Sequence, residues 1–441
     1  MRSCLAFLST LCTSLRVGII GGGVGGTSAA YFLRQNDPEA QIDVYERKDT
    51  IGGRVALVKV GANEYEAGAA IIHSENLYAS RLLKLLGKEA MTSAEPFGLL
   101  SKHGLAFQSS SLGWMTSARL LWRYGLDLLR LDRLVSSTLR AFSRVYPLLD
   151  AGESFSSVHE LLEVMDPEFV ALTTMSLDSY LQSQGFSDRI RSELVHAATI
   201  VNYGQTPNET HAFVGLVGLA GAIGSLFSVR HGNFQLAEGA LRVSGANLIS
   251  AEVTRVTRGQ PNLVEYLIDG EKFQKNYDAV VIATPMTADS DTRPAIEDAN
   301  DSYDGRYWNL GIAFVEGDPN FPDRHALLST RGHTQFNSIS RVASVKDQTF
   351  HSVYKVFFNE DIDPLSFFSA VKTSRVGRWR AYPDYSSTPP GPWKMALGSG
   401  LYYLNAIEWA ASAIEMSLIA GKNIANAICK VSSDVSLYDE L

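Results

Sequence analysis

Arg16-Val-Gly-Ile-Ile20-Gly21-Gly-Gly23-Val-Gly-Gly26-Thr-Ser-Ala-Ala-Tyr-Phe-Leu-Arg34 decides the reading of this chain. A short β-branched apolar run, as a buried parallel strand requires, passes straight into a glycine cluster and then into residues at helical spacing. Asn36-Asp-Pro38 stops that helix, and Gln41-Ile-Asp-Val-Tyr45 reads as a second strand that ends in Glu46. The glycines spell G-x-G-x-x-G at Gly21, Gly23 and Gly26, with Glu46 twenty positions beyond the last. Gly21 permits a tight turn, Gly23 lets backbone approach a pyrophosphate, and Gly26 lets the helix lie close on the strand. The helix N-terminus turns free N–H groups and a positive dipole end toward the phosphates, and Glu46 can accept the hydroxyls of an adenosine ribose. A glycine pattern alone says little; strand, glycines, helix, strand and acid in this order say dinucleotide.

The next residues choose the dinucleotide. Following Glu46-Arg47, Ile51-Gly-Gly53-Arg54 resembles the second element of flavoproteins of the glutathione-reductase type. There the glycines let the backbone pass the pyrophosphate and the arginine offers it a planar donor fork. An NAD enzyme has no use for this element, so FAD is the expected cofactor. Leu248-Ile-Ser-Ala-Glu-Val253 looks like the strand that meets the adenine edge in such proteins, with Val253 the contact. Ala279-Val-Val-Ile-Ala-Thr-Pro285 reads as a return to the dinucleotide domain, and Leu401-Tyr-Tyr-Leu-Asn405 as its last strand before an Ala-rich helix from Ala410 to Cys429. Glu408 and the stretch Ala413-Ile-Glu-Met416 fall at that junction and are candidates for cofactor contact, with helix capping and packing as the alternative.

Composition removes other classes. The 441 residues are 45 % hydrophobic and 20 % charged, as in an ordinary folded protein. Lys+Arg 39 against Asp+Glu 47 gives −8, which leaves no basic footprint for nucleic acid. Of the three cysteines, Cys4 and Cys12 precede the first strand and Cys429 stands alone, so no Cys/His metal cage is expected. His73-Ser-Glu75 has the His-x-Glu form, but no Pro-Cys-x-x-Cys completes it, and neither His-Glu-x-x-His nor G-x-S-x-G occurs.

Beyond the cofactor motif, scattered polar signatures remain: Tyr65-Glu-Ala-Gly68 with His73 and Asn76, Trp122-Arg-Tyr-Gly125, Phe155-Ser-Ser-Val158, Val201-Asn-Tyr-Gly-Gln205 and Glu415-Met-Ser417. With these the chain, from Val17 to about Ile428, resembles the prenylcysteine oxidases, also called prenylcysteine lyases. The resemblance implies an FAD-dependent thioether oxidase of the endosomal, lysosomal or secreted compartment. It would cleave S-farnesyl- or S-geranylgeranyl-cysteine with O₂ and water to cysteine, prenyl aldehyde and H₂O₂, by hydride transfer from prenyl C1 to the flavin. Departures exist. Ala69-Ala70 and His73-Ser74 replace the usual Gly-Ser pair and His-Pro, Phe227-Ser-Val-Arg-His-Gly-Asn233 replaces a Trp-x-Val-Glu-Gly-Gly-Asn segment, and the stretch from Gly317 to Lys346 is short. Since the altered loop commonly borders the substrate cavity, two other functions stay open: an FAD oxidase or oxidative cyclase on another allylic or terpenoid lipid, or a silent FAD- or lipid-binding relative.

The expected architecture is an α/β, Rossmann-type FAD-binding domain, glutathione-reductase/amine-oxidase-like, interleaved with a second mixed-sheet and helical substrate domain. The first takes residues 16–80, 240–290 and 395–430, and the second 81–239 and 291–394. Ser80 to Ile200 reads as a mainly helical cap, in which Trp114, Trp122, Tyr124, Phe142 and Tyr146 either line a prenyl tunnel or pack the core. His73 and His231 are the weak candidates for a base toward the added water. A lipophilic substrate also suggests peripheral membrane contact without a transmembrane helix. Met1 to Leu15 reads as a signal peptide or else a ragged extension, and Asn208 and Asn300 open glycosylation sequons. Tyr438-Asp-Glu-Leu441 is one residue from an ER-retrieval tetrapeptide, or an ordinary polar tail.

Overall fold

The computed structural model describes residues 14–92, 96–221, 224–297, 304–321, 326–333 and 335–439. Most of the N-terminal segment, Asn300 and the final Leu441 therefore lie outside the described residues. A six-stranded sheet carries the order Asn247–Ser250, Gln41–Glu46, Arg16–Ile20, Ala279–Ile282, Leu401–Tyr403, Ala396–Gly398. The first five run parallel and the last is antiparallel, with Val17 opposite Ala279 and Val280 opposite Leu401. Val17, Ile19, Val280, Val281, Ile282 and Leu401 are wholly buried, as an apolar strand covered on both faces must be.

Helix Val24–Asn36 packs between helices Gln235–Ser244 and Ile414–Asp439. Close approach explains the small residues here. A Cβ on Gly26 would stand 2.0 Å from the Gly21 carbonyl oxygen, and one on Gly421 2.2 Å from Ser28 Oγ. The strand expected from Leu248 to Val253 divides: Asn247–Ser250 stays in the parallel sheet, while Glu252–Thr257 joins a four-stranded sheet with Asn262–Ile268, Glu271–Tyr277 and Ala295–Glu297. The Ala251 N–H donates to the Glu46 carbonyl at 3.0 Å where the chain changes sheets.

A seven-stranded sheet forms the other half, in the order Phe368–Pro383, Tyr307–Pro319, Phe350–Phe358, Ser338–Ala343, Ala326–Ser329, Phe97–Ser101, Gly104–Gln108. Ser80–Ile200 is mainly helical, as expected, but the last two strands of this sheet interrupt it, since Phe97–Gln108 is a hairpin. Leu99 and Phe107 are register partners and both are buried, so a tertiary surface recruits a segment too short to announce itself by period. Helices follow, including Gly113–Tyr124 and Leu126–Phe142, separated at Gly125 with φ 58°. Among the described residues no helix is long and apolar enough to cross a membrane.

Candidate functional site

A cavity of about 890 Å³ opens at the carboxyl ends of strands Arg16–Ile20 and Ala279–Ile282, where parallel sheets bind ligands. Gly21, Gly23, Glu46, Arg47, Gly53, Arg54, Val253 and Glu408 all line it. Two glycine turns form its floor. The Gly52 N–H donates to the Gly22 carbonyl at 3.0 Å, and Gly23 bridges Gly52. At Gly53, φ is 62°, and a Cβ there would lie 3.2 Å from Gly23 Cα. With no Cβ at Gly21, Gly23 or Gly53, bare backbone lines this part of the cavity. Glu46 Oε2 accepts from the Gly22 N–H at 2.8 Å and Oε1 from the Lys48 N–H at 2.9 Å, which holds the carboxylate at the rim.

The opposite wall is a buried ion cluster. Glu408 sits in the tight turn Leu404–Trp409 and accepts from Arg54 Nη2, from the Tyr307 hydroxyl at 2.7 Å and from Asn405 Nδ2 at 2.9 Å. Arg54 Nη1 donates to the Ala381 carbonyl at 2.9 Å. Both arms of the expected donor fork are thus committed to the protein's own wall. Nearer the mouth, Arg47 Nη2 meets Asp291 at 3.0 Å, and Arg380 meets Asp289 at 3.4 Å and Asp291 at 3.2 Å.

Polar atoms wait for a ligand. Thr284 Oγ1, Asp289 Oδ1 and Trp379 Nε1 are buried with no hydrogen-bond partner among the described residues, and all three residues line the cavity. Such atoms are costly unless something pairs with them. Together with the bare glycine turns and the carboxylate at the rim, this donor set fits a dinucleotide. The stretch Arg378-Trp-Arg380, Tyr307 and Asn309 also line the cavity and were not singled out from sequence. Which residues of the long strands Tyr307–Pro319 and Phe368–Pro383 reach the cavity depends on how the two halves meet.

Other expected residues stand elsewhere. Gly26 serves the helix–strand contact and Met416 is buried behind the wall, with Ala413, Ile414 and Ser417 lining the cavity in its place. His73 ends a two-stranded pairing with Leu226, and His231 donates its N–H to the Val345 carbonyl at 2.7 Å; neither histidine lines the cavity. The aromatic residues proposed for a tunnel do not reach it either. The Tyr124 hydroxyl donates to Glu193 at 2.9 Å and that of Tyr146 to Glu415 at 2.8 Å, Phe142 packs edge-on to Tyr146, and Trp114 and Trp122 face solvent. Among the described residues no His/Cys/Asp/Glu group could hold a metal.

The altered loop touches the site only through its last residue. The Asn233 N–H donates to Glu66 Oε1 at 2.6 Å, and its Nδ2 to the carbonyl of cavity-lining Ala69 at 2.7 Å. Burial pushes the Glu66 carboxyl up to about 7, although the Asn233 N–H pulls the other way. Lys355, whose Nζ donates to the Glu66 carbonyl at 3.1 Å, is pushed down by burial to about 8.

The family model described as prenylcysteine lyase matches residues 107–436. The chain belongs to the prenylcysteine lyase family. A second model, NAD(P)-binding Rossmann-like domain, matches residues 19–86. Relatives of this prenylcysteine lyase family member include mouse Prenylcysteine oxidase 1, 34 % identical, with 93 % of this chain and 88 % of that one covered. Human Prenylcysteine oxidase 1 is 34 % identical with the same coverage, and human Prenylcysteine oxidase 1-like is 33 % identical over 93 % of this chain and 89 % of that one. Among solved structures, Cyclohexylamine Oxidase from Brevibacterium oxydans superposes with TM-score 0.65 at 15 % identity, covering 95 % of this chain and 100 % of that one. A fatty acid isomerase from P. acnes gives TM-score 0.65 at 12 % identity, covering 93 % and 97 %. At these identities the two structures speak to the fold alone.

Proposed function

We propose that this protein is an FAD-dependent oxidase that cleaves the thioether of S-prenyl-cysteine. The observation that carries the proposal is the 34 % identity over 93 % of the chain to proteins named prenylcysteine oxidase. A cavity built of bare glycine turns and unpaired polar atoms supports the cofactor half of it. FAD, when bound, would supply the two-electron oxidation of prenyl C1, with O₂ as the final acceptor and H₂O₂ as its product. Water adds to the oxidised carbon with loss of a proton, and the C–S bond breaks to leave the prenyl aldehyde and the cysteine thiol.

The chain's own share is binding and exclusion of water. Gly21, Gly23 and Gly53 would let backbone N–H groups meet the pyrophosphate, Glu46 would take the ribose hydroxyls, and Val253 would border the adenine. Arg47 would stand at the mouth with Asp291. Arg54 and Glu408, braced by Tyr307 and Asn405, would fix the wall against which the cofactor lies. Neither Arg230 nor His231 lines this cavity, and the likeness to prenylcysteine oxidases makes the prenyl thioether the substrate class put forward.

The test is anaerobic mixing of the FAD-loaded protein with S-farnesylcysteine, following flavin absorbance. Bleaching, with colour regained in air, is expected. An intact flavin that stays oxidised would overturn the substrate, and a protein colourless after FAD reconstitution would overturn the cofactor. A secretory location is proposed with it: Asn208 lies exposed in a turn, and an endoglycosidase mobility shift abolished by Asn208→Gln checks that route.

A further inference from the structure

The helix Gly113–Tyr124 has two apolar faces, and only one of them is covered. Its inner face packs Leu120 against the cluster of Leu99, Phe107 and Ala197, and buries Tyr124. The outer face presents Trp114, Ala118, Leu121 and Trp122 at helical spacing, all exposed. Trp122 is 89 % exposed and Trp114 69 %. Beyond the break at Gly125, the next helix continues the patch with Leu126, 74 % exposed, and Leu129, while Leu112 adds to it at the near end. Two tryptophans and four leucines between Leu112 and Leu129 are thus exposed, a density that isolated exposed side chains do not explain.

The charges around this patch have a sign. Helices Gly113–Tyr124 and Leu126–Phe142 contain five arginines (Arg119, Arg123, Arg130, Arg133, Arg140) against two aspartates (Asp127, Asp132), a net of +3 in a chain of −8. Arg123 is paired with Glu193, and Arg130 with Asp127. Arg133 and Arg140 continue the exposed face of the second helix past Leu126 and Leu129. Apolar side chains with tryptophan at the crest and arginine behind form the profile of a helix that lies in a bilayer interface.

We infer that this pair of consecutive helices docks the protein onto a lipid bilayer bearing anionic headgroups, with Trp114, Trp122, Leu121 and Leu126 entering the interface. The inference does not depend on the oxidase reading, because the patch shares no residue with the cavity.

Co-sedimentation of the full chain with mixed phosphatidylcholine–phosphatidylserine vesicles, and with phosphatidylcholine alone, tests it. The native protein is expected to pellet with the mixed vesicles and to shift its tryptophan emission to the blue. The double variant Trp114→Ser, Trp122→Ser, whose side chains support no core, should retain its circular dichroism and lose vesicle binding about tenfold or more. Arg119→Glu with Arg133→Glu and Arg140→Glu should erase the preference for anionic vesicles. A native protein that stays in the supernatant with both vesicles overturns the proposal, as does equal pelleting of the tryptophan variant. A native dimer that the tryptophan variant dissociates in sedimentation equilibrium also overturns it, since a second copy would then cover the face. Flavin reduction by soluble S-farnesylcysteine should be the same in native and tryptophan-variant protein, which separates failure here from failure of the oxidase reading.

Discussion

Arg54 and Glu408, 354 positions apart, form an ion pair that joins the second glycine turn to the last turn before the C-terminal helix. The Glu408 side chain is 4 % exposed and that of Arg54 31 %, so the carboxylate carries the desolvation cost while the guanidinium fringes the cavity. Three donors converge on this carboxylate, which leaves it little capacity to act as a base.

Removing one partner should therefore cost stability and cofactor together. Glu408→Ala leaves Arg54, the Tyr307 hydroxyl and Asn405 unpaired, and about 2–3 kcal/mol of stability should be lost. Thermal unfolding measures this, and the flavin absorbance of the purified variant should fall in parallel.

Two glycines of one motif should behave in opposite ways. Gly23 has φ −75°, and a Cβ there meets nothing nearer than Gly53 Cα at 3.8 Å. Gly23→Ala should fold with a Tm equal to or slightly above the native one, by up to about 0.5–1 kcal/mol from reduced freedom of the unfolded chain, yet bind FAD at least about tenfold more weakly. Gly26→Ala drives a Cβ within 2.0 Å of the Gly21 carbonyl oxygen and should lose stability, about 2 kcal/mol or more, before binding is tested. Equal behaviour of the two variants would contradict this division of labour.

Glu66 sets a pH dependence. Its ordinary value is 4.5 and the folded value about 7, so between these the folded chain holds a proton that the unfolded chain has lost. Stability should then be full below about 4.5 and fall as pH rises to about 7, by roughly 3 kcal/mol for this group. Glu415, pushed up to about 7 by burial, acts in the same window. Glu66→Gln keeps the acceptor for the Asn233 N–H and removes the titration. The variant should match the native protein near pH 4 and exceed it near pH 8 in chemical denaturation, with about half of the fall abolished. Lys355 works in a separate range: pushed from 10.5 down to about 8, it should let stability climb as pH rises between those values.

The loop that departs from the family pattern should be open to change. His231 holds φ 69°, a conformation that costs a non-glycine residue, and Arg230 makes a rim pair with Glu89 at 2.6 Å. His231→Gly should raise stability by about 1 kcal/mol, and Arg230→Glu with His231→Gly should leave turnover of S-farnesylcysteine within about twofold. A larger kinetic effect would assign the loop a role in substrate choice.

The parallel sheet and its glycine turn were legible because their signals are local. Strand, turn and helix lie within Arg16–Asn36, and the chemistry of Gly21, Gly23, Gly53 and Glu46 follows from their order. The hairpin Phe97–Gln108 was hidden because its apolar residues gain meaning only against the strand Ala326–Ser329, far along the chain. Trp379 and Arg380 were hidden for the same reason, since nothing in Phe368–Pro383 says which residues turn toward the glycine turns. Within the stretch Ala413–Met416, Ala413 and Ile414 line the cavity, as does Ser417, while Met416 is buried; which face of this helix start meets the cavity is set by packing that the sequence does not show.

The strand Leu401–Tyr403, which flanks Ala279–Ile282, leaves the ribosome long after the central strand Arg16–Ile20. Everything between them must be made before this sheet closes, so the nascent chain carries bare apolar strand edges through that interval. Long-range pairing of this kind makes folding slow. Because the wall residue Glu408 arrives later still, the cavity gains its wall only after that long stretch has been made.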